Sequence, residues 1–456
     1  MNRRHAITVI GLAFGDCGKG SIVDFLTRTR DAHTVVRFNG GPQAGHNVVT
    51  PDGRHHTFSQ FGSGTFVPGV RTLLSRFMLI EPYALFNEAA HLQDVGLTDS
   101  LDRLFIDARC PVITPSHQAA NRLRELARGD GAHGTCGLGV GETTQDIADH
   151  PDLIIHARDL ADRPAITRKL RAIRDLKADQ LHDAINALRS HPSATFSIDT
   201  LLTPTWIEAA ADNYAQLAAC VRILDPSAVH SILLTPGTLI FEGAQGVLLD
   251  ESLGFHPYTT WSNTTCANAE QLLRESAHDG TRIRIGVLRC YYTRHGPGPF
   301  VTETPALRLS EPHNADAGCQ GRFRNGVFDT VAARYALAAS PVDALAITHL
   351  DRIAQLPSHV CAAYREVYPA EPPANDGLFI HNGDLITDIR LPEPADFGHL
   401  TRLSAQLRDV RPVYTPLPNG HLPSFLDMID NELRSPVLIQ SFGPTALDKR
   451  LVPRVL

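Results

Sequence analysis

Two short glycine-rich stretches gather residues able to handle phosphoryl chemistry. The first, "GLAFGDCGKGSIVDFL", carries a carboxylate, Asp16, and an ammonium, Lys19; the second, "FNGGPQAGHNVV", carries an imidazole, His46. The first approaches a phosphate loop without being one. The pattern G-x-x-x-x-G-K-[ST] needs glycine where Ala13 stands, and Ser or Thr where Gly20 follows Lys19. Backbone N–H groups at a helix start still make an anion site, with Lys19 as a point charge. Asp16, between the glycines, is open to three uses. It can ligate Mg²⁺ beside phosphates, act as a general base on a substrate held against them, or simply N-cap the following helix. In the second stretch three glycines surround Gln43 and His46. Such a loop is entropically costly for structure alone and suits a histidine that works on a phosphoryl group in transfer.

The elements that must position these residues read as follows. "AITVIGLAF" is a β-rich apolar run, then a glycine turn, then "GSIVDFLTRT" with apolar residues at helical spacing. That is strand, loop and helix, with the loop at the strand's carboxyl end. "TVVRFNGG", "TLIFEGAQGVLLD", "RIRIGVLRCYYTR" and "ALAITHLD" read as further buried strands, and "NRLRELAR" and "DTVAARYALAAS" as helices. The expected fold is α/β: one large domain over residues 1–456, with a central, mostly parallel sheet flanked by helices and its chemistry at the strands' C-terminal ends. Charged amphipathic stretches such as "ITRKLRAIRDLKADQLHDAINALRS" predict a helical insertion at about 151–235, and Pro, Asp and Gly at about 365–400 predict an elaborated edge.

Bulk properties exclude several function classes. A net charge of −7 over 456 residues argues against coating nucleic acid. The eight cysteines contain no C-x-x-C pair and no zinc spacing, which predicts reduced thiols in a cytoplasmic protein. The apolar run near the N-terminus is too short and too glycine-broken for a signal peptide or a membrane span. Neither a nucleic-acid nor a membrane partner is expected.

Seven stretches, "GDCGKGSIVDFL", "NGGPQAGHNVV", "FEGAQGVLLD", "GFHPYTTWSNTT", "YYTRHGPGPFVTE", "GRFRNGVFD" and "SFGP", occur in the order in which adenylosuccinate synthetases carry their motifs. The resemblance spans nearly the whole chain. It implies a cytoplasmic homodimer that uses GTP and Mg²⁺ to phosphorylate the 6-oxygen of IMP, after which the amino group of aspartate displaces the phosphate. By that resemblance Asp16 takes the proton from purine N1 and touches Mg²⁺, with the Gly45 carbonyl as a second metal ligand. His46 stabilises the γ-phosphoryl group in flight, and Lys19 contacts phosphate within the Gly15, Gly18, Gly20 loop. Gln43, Thr135, Cys136, Gln245, Leu249 and Thr260 fall at acceptor-binding positions. Cys319, Gln320, Arg322 and Arg324 fall at amino-acid-binding positions. Asp351 resembles the acid that selects guanine, with Ser441, Gly443 and Pro444 closing over the base. Losing the N1 proton makes O6 nucleophilic enough to accept a phosphoryl group, which gives a carboxylate beside phosphates its purpose.

The departures from the family pattern fall on substrate contacts. The phosphate-gripping G-T-T-G-R-G-I-G-P becomes "GTCGLGVGE", so Cys136, Leu138 and Glu142 replace threonine, arginine and proline. No Lys or Arg lies between Arg128 and Arg158. T-T-G-R-x-R becomes Cys319-Gln320-Gly321-Arg322-Phe323-Arg324, and K-L-D becomes His349-Leu350-Asp351. The phosphoryl-transfer residues are kept while the acceptor and amine pockets are rewritten. The sequence therefore predicts an active GTP-dependent C–N ligase with altered substrate choice. A specialised enzyme of secondary metabolism for a non-IMP acceptor, with or without a phosphate, and a non-catalytic guanine-nucleotide-binding regulatory paralogue stand as alternatives.

Overall fold

The computed structural model describes residues 3–311, 321–367, 377–417 and 421–453. Ten strands form its central sheet: β1 (Arg4–Gly11), β2 (Ala32–Arg37), β3 (Arg71–Leu74), β4 (Leu104–Asp107), β5 (Arg222–Leu224), β6 (Gly237–Glu242), β7 (Thr281–Arg289), β8 (Ala344–Thr348), β9 (Val437–Ser441) and β10 (Lys449–Leu451). Their order is β10-β9-β8-β7-β1-β6-β2-β3-β4-β5. Only the β9–β10 pair at one edge is antiparallel; the others are parallel.

Side chains alternate along β1, and each face is buried by a different layer. Ile7 and Val9 join Ile22, Val23, Phe25 and Leu26 of α1 (Lys19–Thr29). Ala6 and Ile10 join the opposite core, built by helices Pro226–Leu233, Ala267–Glu275, Thr330–Ala339 and His421–Leu433. α2 (Pro82–Asp94) connects β3 to β4, and after β4 come α3 (Pro115–Arg128), α4 (Val140–Asp149), α5 (Arg163–Gln180) and further helices up to Leu233. A separate four-stranded antiparallel sheet holds His359–Glu366, Phe379–Asn382, Leu385–Ile389 and Val410–Pro416. Cys17, Cys110, Cys220, Cys266, Cys290 and Cys361 are free thiols. No helix there is long and apolar enough to cross a membrane.

The parallel arrangement sends the loops after β9, β8, β7, β1, β6 and β2 to one side of the sheet. β1 is the point where successive connections part in opposite directions, so a crevice opens over it.

Candidate active site

A cleft of about 1550 Å³ runs along that crevice. Single small-molecule sites usually occupy roughly 300–1,000 Å³, so there is room for more than one substrate. Its lining contains Gly15, Asp16, Gly18, Lys19, Gly20, Gln43, Gly45, His46, Thr135, Cys136, Gln245, Leu249, Thr260, Asp351, Ser441, Gly443 and Pro444. The expected phosphoryl, acceptor and guanine residues thus share one surface.

The first loop is shaped by its glycines and by its neighbours. Gly18, with φ 85°, is the N-cap of α1, and no side chain caps that end. The helix-capping use of Asp16 is thereby excluded. Asp16 itself stands in the left-handed region, φ 48°, with its side chain 32% exposed to the cleft. Its main-chain oxygen accepts from Arg289 Nε, and Arg289 is in turn fixed by Tyr291 and Glu311. The position after Lys19 is glycine for a packing reason. A Cβ on Gly20 would lie 2.8 Å from His46 Cβ and 3.1 Å from Ser63 Oγ. A Walker-type Ser or Thr there would push the second loop away.

His46 begins a short strand, His46–Val49, paired with His55–Phe58. Its Nδ1 lies 2.6 Å from Glu242 Oε1 in a buried contact. Ser63 gives Glu242 its main-chain N–H at 2.8 Å and also its hydroxyl. Arg37 sits directly across the β2–β6 ladder from Glu242 and is fully buried. Burial pushes the His46 imidazole below its ordinary value, against the pull of Glu242. Burial works to raise the Glu242 carboxyl, yet the bonds from His46 and Ser63 and the positive field of Arg37 hold it below the usual carboxylate range. The arrangement is a neutral imidazole with Nδ1–H on a carboxylate. That leaves Nε2 for the cleft and stabilises the imidazolium whenever Nε2 takes a proton.

Two glutamine amides converge against Gly40 and Gly41. A Cβ on Gly41 would lie 3.0 Å from Gln43 Oε1, and one on Gly40 would lie 3.1 Å from Gln245 Oε1. Both amide atoms of Gln43 and the Oε1 of Gln245 are buried without a hydrogen-bond partner among the described residues. Buried amides of this kind need partners, and a ligand edge offering both donor and acceptor would supply them.

Lys19 is placed differently from a free phosphate contact. It is 3% exposed, and its Nζ donates to the Gln245 carbonyl at 2.5 Å, locking the loop after β6 onto the loop after β1. The two loops touch so closely that a Cβ on Gly246 would lie 2.1 Å from the Ala13 oxygen.

Near Asp351, at the end of β8, Thr348 Oγ1 donates to the Cys17 carbonyl at 2.8 Å. His349, with φ 59°, sets its Nδ1 2.9 Å from the same hydroxyl. That hydroxyl has one proton, already given to Cys17, so the His349 Nδ1–H is the donor. Lys449 holds the loop after β9 through the Gly443 and Thr445 carbonyls at 2.9 and 2.8 Å. Burial brings its ammonium down to about 8.

Of the residues expected on the amine side, Arg322 and Arg324 are not on the cleft lining. Arg322 is exposed. Arg324 is bound to Glu303 at 2.8 Å and to the Gly296 and Gly298 carbonyls. The hairpin Tyr292–His295 with Phe323–Gly326 sets Arg324 opposite Arg294, and it is Arg294 that is buried and lines the cleft. Cys319 and Gln320 lie outside the described residues.

Sequence reading passed over Glu242, Ser63, Arg37, Arg289 and His295. His295 Nε2 stands 4.0 Å from Asp16 Oδ2. For Glu242 a signal existed: a lone acid ending an apolar strand just before "GAQG".

For a divalent cation the exposed donors are the Asp16 carboxylate and the Gly45 carbonyl, both hard oxygens on the cleft wall. That set fits Mg²⁺, which is typically held by one or two carboxylates together with substrate phosphates and water.

Comparison with known proteins places the chain in a family. The family model described as adenylosuccinate synthetase matches residues 8–446. The chain is 33% identical over 375 residues to the adenylosuccinate synthetase of Vibrio parahaemolyticus, covering 79% of this chain and 80% of that protein. It is 33% identical over 367 residues to that of Mycobacterium avium, with the same coverage. Among solved structures it resembles the fully ligated adenylosuccinate synthetase of Plasmodium falciparum, with TM-score 0.74, 20% identity, and 99% and 100% of the two chains covered. It also resembles the succinoaminodeoxyadenylate synthetase of cyanophage S-2L, bound to dGMP and to dATP as energy donor. That match has TM-score 0.60, 17% identity, and 99% and 96% coverage.

Proposed function

The chain belongs to the adenylosuccinate synthetase family, ligases that form C–N bonds and use GTP and Mg²⁺, and we propose how this member works. It phosphorylates the 6-oxo group of IMP or an IMP-like purine and joins that carbon to the amino group of L-aspartate or a similar amine. The observation that carries this reading is the meeting of Asp16, the His46–Glu242 pair and the unpartnered Gln43 and Gln245 amides in one cleft.

Each group has a part. The glutamine amides hold the oxo and N–H edge of the purine. Asp16 takes the N1 proton, and the electron pair moves to O6. O6 bonds to the γ-phosphorus as the bond to the bridging oxygen breaks and GDP leaves. His46 faces the transferring oxygens through Nε2, and Glu242 stabilises the positive charge gained there. The amine nitrogen then attacks C6, the C6–O6 bond breaks with its electron pair leaving on phosphate, and the nitrogen releases one proton to the departing phosphate. Mg²⁺, held by Asp16 and the Gly45 carbonyl, would neutralise phosphate charge. Asp351, with the loop Ser441 to Pro444, selects guanine on the donor. Arg322 and Arg324 are the proposed contacts for the amine's carboxylates, once the hairpin frees Arg324 from Glu303. A homodimer belongs to the same proposal and is read by sedimentation.

The test is phosphate release from GTP with Mg²⁺ and aspartate, with and without a purine acceptor, IMP and inosine being run separately. The purine absorbance change is followed in parallel. Acceptor-dependent release supports the ligase reading. GTP binding without release in the presence of either purine would replace it with a non-catalytic nucleotide-binding role.

A further inference from the structure

The cleft continues past Gln245, away from Asp351, to an end walled by α3, α4 and the loop 256–261. Its cations are already held: the buried Arg294 is bonded to the carbonyls of Pro297, Pro299 and Tyr258. Arg124 Nε holds Glu142 Oε1 at 2.7 Å, and the buried Lys177 of α5 holds Glu142 Oε2 at 3.0 Å and Asp146 at 2.7 Å. Arg128 is paired with Glu125. The two histidines on this wall are neutral near pH 7. Burial lowers His133, reinforced by Arg128, and burial lowers His256, reinforced by His133. Glu251 also lines this end and has no ion-pair partner among the described residues. Burial, and then neighbouring Asp250, raise its carboxyl.

The remaining wall is aromatic. Trp261, half exposed, lies over Gly141, where a Cβ would come within 2.8 Å of the indole. Tyr258 faces His133, and Phe397 faces His256. A dianionic phosphate here would have to take Arg124 from Glu142, leaving that carboxylate beside the anion and Glu251 facing it. A sugar suits the wall better: its C–H faces pack on the rings and its hydroxyls donate to Glu251.

Building on the ligase reading above, we propose that this end takes an uncharged, hydroxyl-bearing group, so that the acceptor is a purine nucleoside without a phosphate ester. The test titrates the full-length protein, loaded with Mg²⁺ and a non-hydrolysable GTP analogue, with inosine and with IMP by calorimetry. Inosine is expected to bind at least tenfold more tightly than IMP, and kcat/KM for phosphate release is expected to follow the same order. IMP binding as tightly as inosine overturns the proposal while leaving the ligase reading intact. If neither purine binds although the analogue does, the acceptor reading itself falls, and this proposal with it. Glu251→Gln supplies an independent measurement. The variant should raise IMP affinity about tenfold relative to inosine, because the carboxylate no longer repels the phosphate. An unchanged ratio overturns the assignment.

Discussion

His46 and Glu242 are separated by 196 positions in the chain, yet His46 Nδ1 lies 2.6 Å from a Glu242 carboxylate oxygen. The loop after β2 brings the imidazole, and the end of the neighbouring strand β6 brings the acid. Glu242 fixes the tautomer of the ring and holds a negative charge behind it. A charge-preserving contact of this kind usually matters more to the transition state than to binding.

Glu242→Gln keeps the shape and an acceptor for the His46 N–H but removes the charge. Single-turnover phosphoryl transfer should slow on the order of 10²- to 10³-fold, while GTP affinity stays within about twofold. Rapid-quench kinetics and equilibrium binding on the same sample check this. An unchanged transfer rate would remove the dyad from the chemistry.

Asp16→Asn should abolish acceptor-dependent phosphate release, by roughly 10³-fold or more, because an amide cannot take the N1 proton. Stability should barely move, within about 0.5 kcal/mol in urea unfolding, since α1 is capped at Gly18 and Asp16 is partly exposed. Normal turnover in this variant would exclude the base role.

Thr348→Val removes the hydroxyl that joins Cys17 to His349. The Cys17 carbonyl and the His349 Nδ1–H are then left unpaired in a buried place. The expected loss is about 1–3 kcal/mol in urea unfolding. The KM for GTP should rise as well, because the same hydroxyl holds the Asp16 loop to the end of β8.

Acid should weaken the fold through its buried histidines. Burial depresses His46, His117 and His349, the last of these also facing the cations Arg289, Arg352 and Lys449. Each is neutral when folded, so the unfolded chain binds more protons below its own value, about 6.5. Their contribution is fully present above that pH and is lost as pH falls below it toward the folded values. Each contributes a slope of at most about 1.4 kcal/mol per pH unit. His349→Asn, which tolerates the left-handed backbone, should reduce the slope between pH 6.5 and 5 by one proton's share. Chemical denaturation across that range reads the difference.

What the sequence determined by itself was local. Buried apolar runs at β1, β6, β7 and β8 specify a parallel sheet because period and burial are properties of neighbouring residues. Glycine-rich loops announce Asp16, Lys19 and His46 because such backbone needs glycine in the residues alongside. Partnership was decided only in three dimensions. Whether Lys19 meets a phosphate or the Gln245 carbonyl depends on how far the loop after β6 leans on the loop after β1. Whether Arg324 faces the cleft or Glu303 depends on hairpin register. Glu142, a single changed letter in the first turn of α4, became informative once Arg124 and Lys177 were found on it. A charge acts on whatever stands within a few ångströms, and in a parallel sheet those neighbours come from strands far apart in the chain.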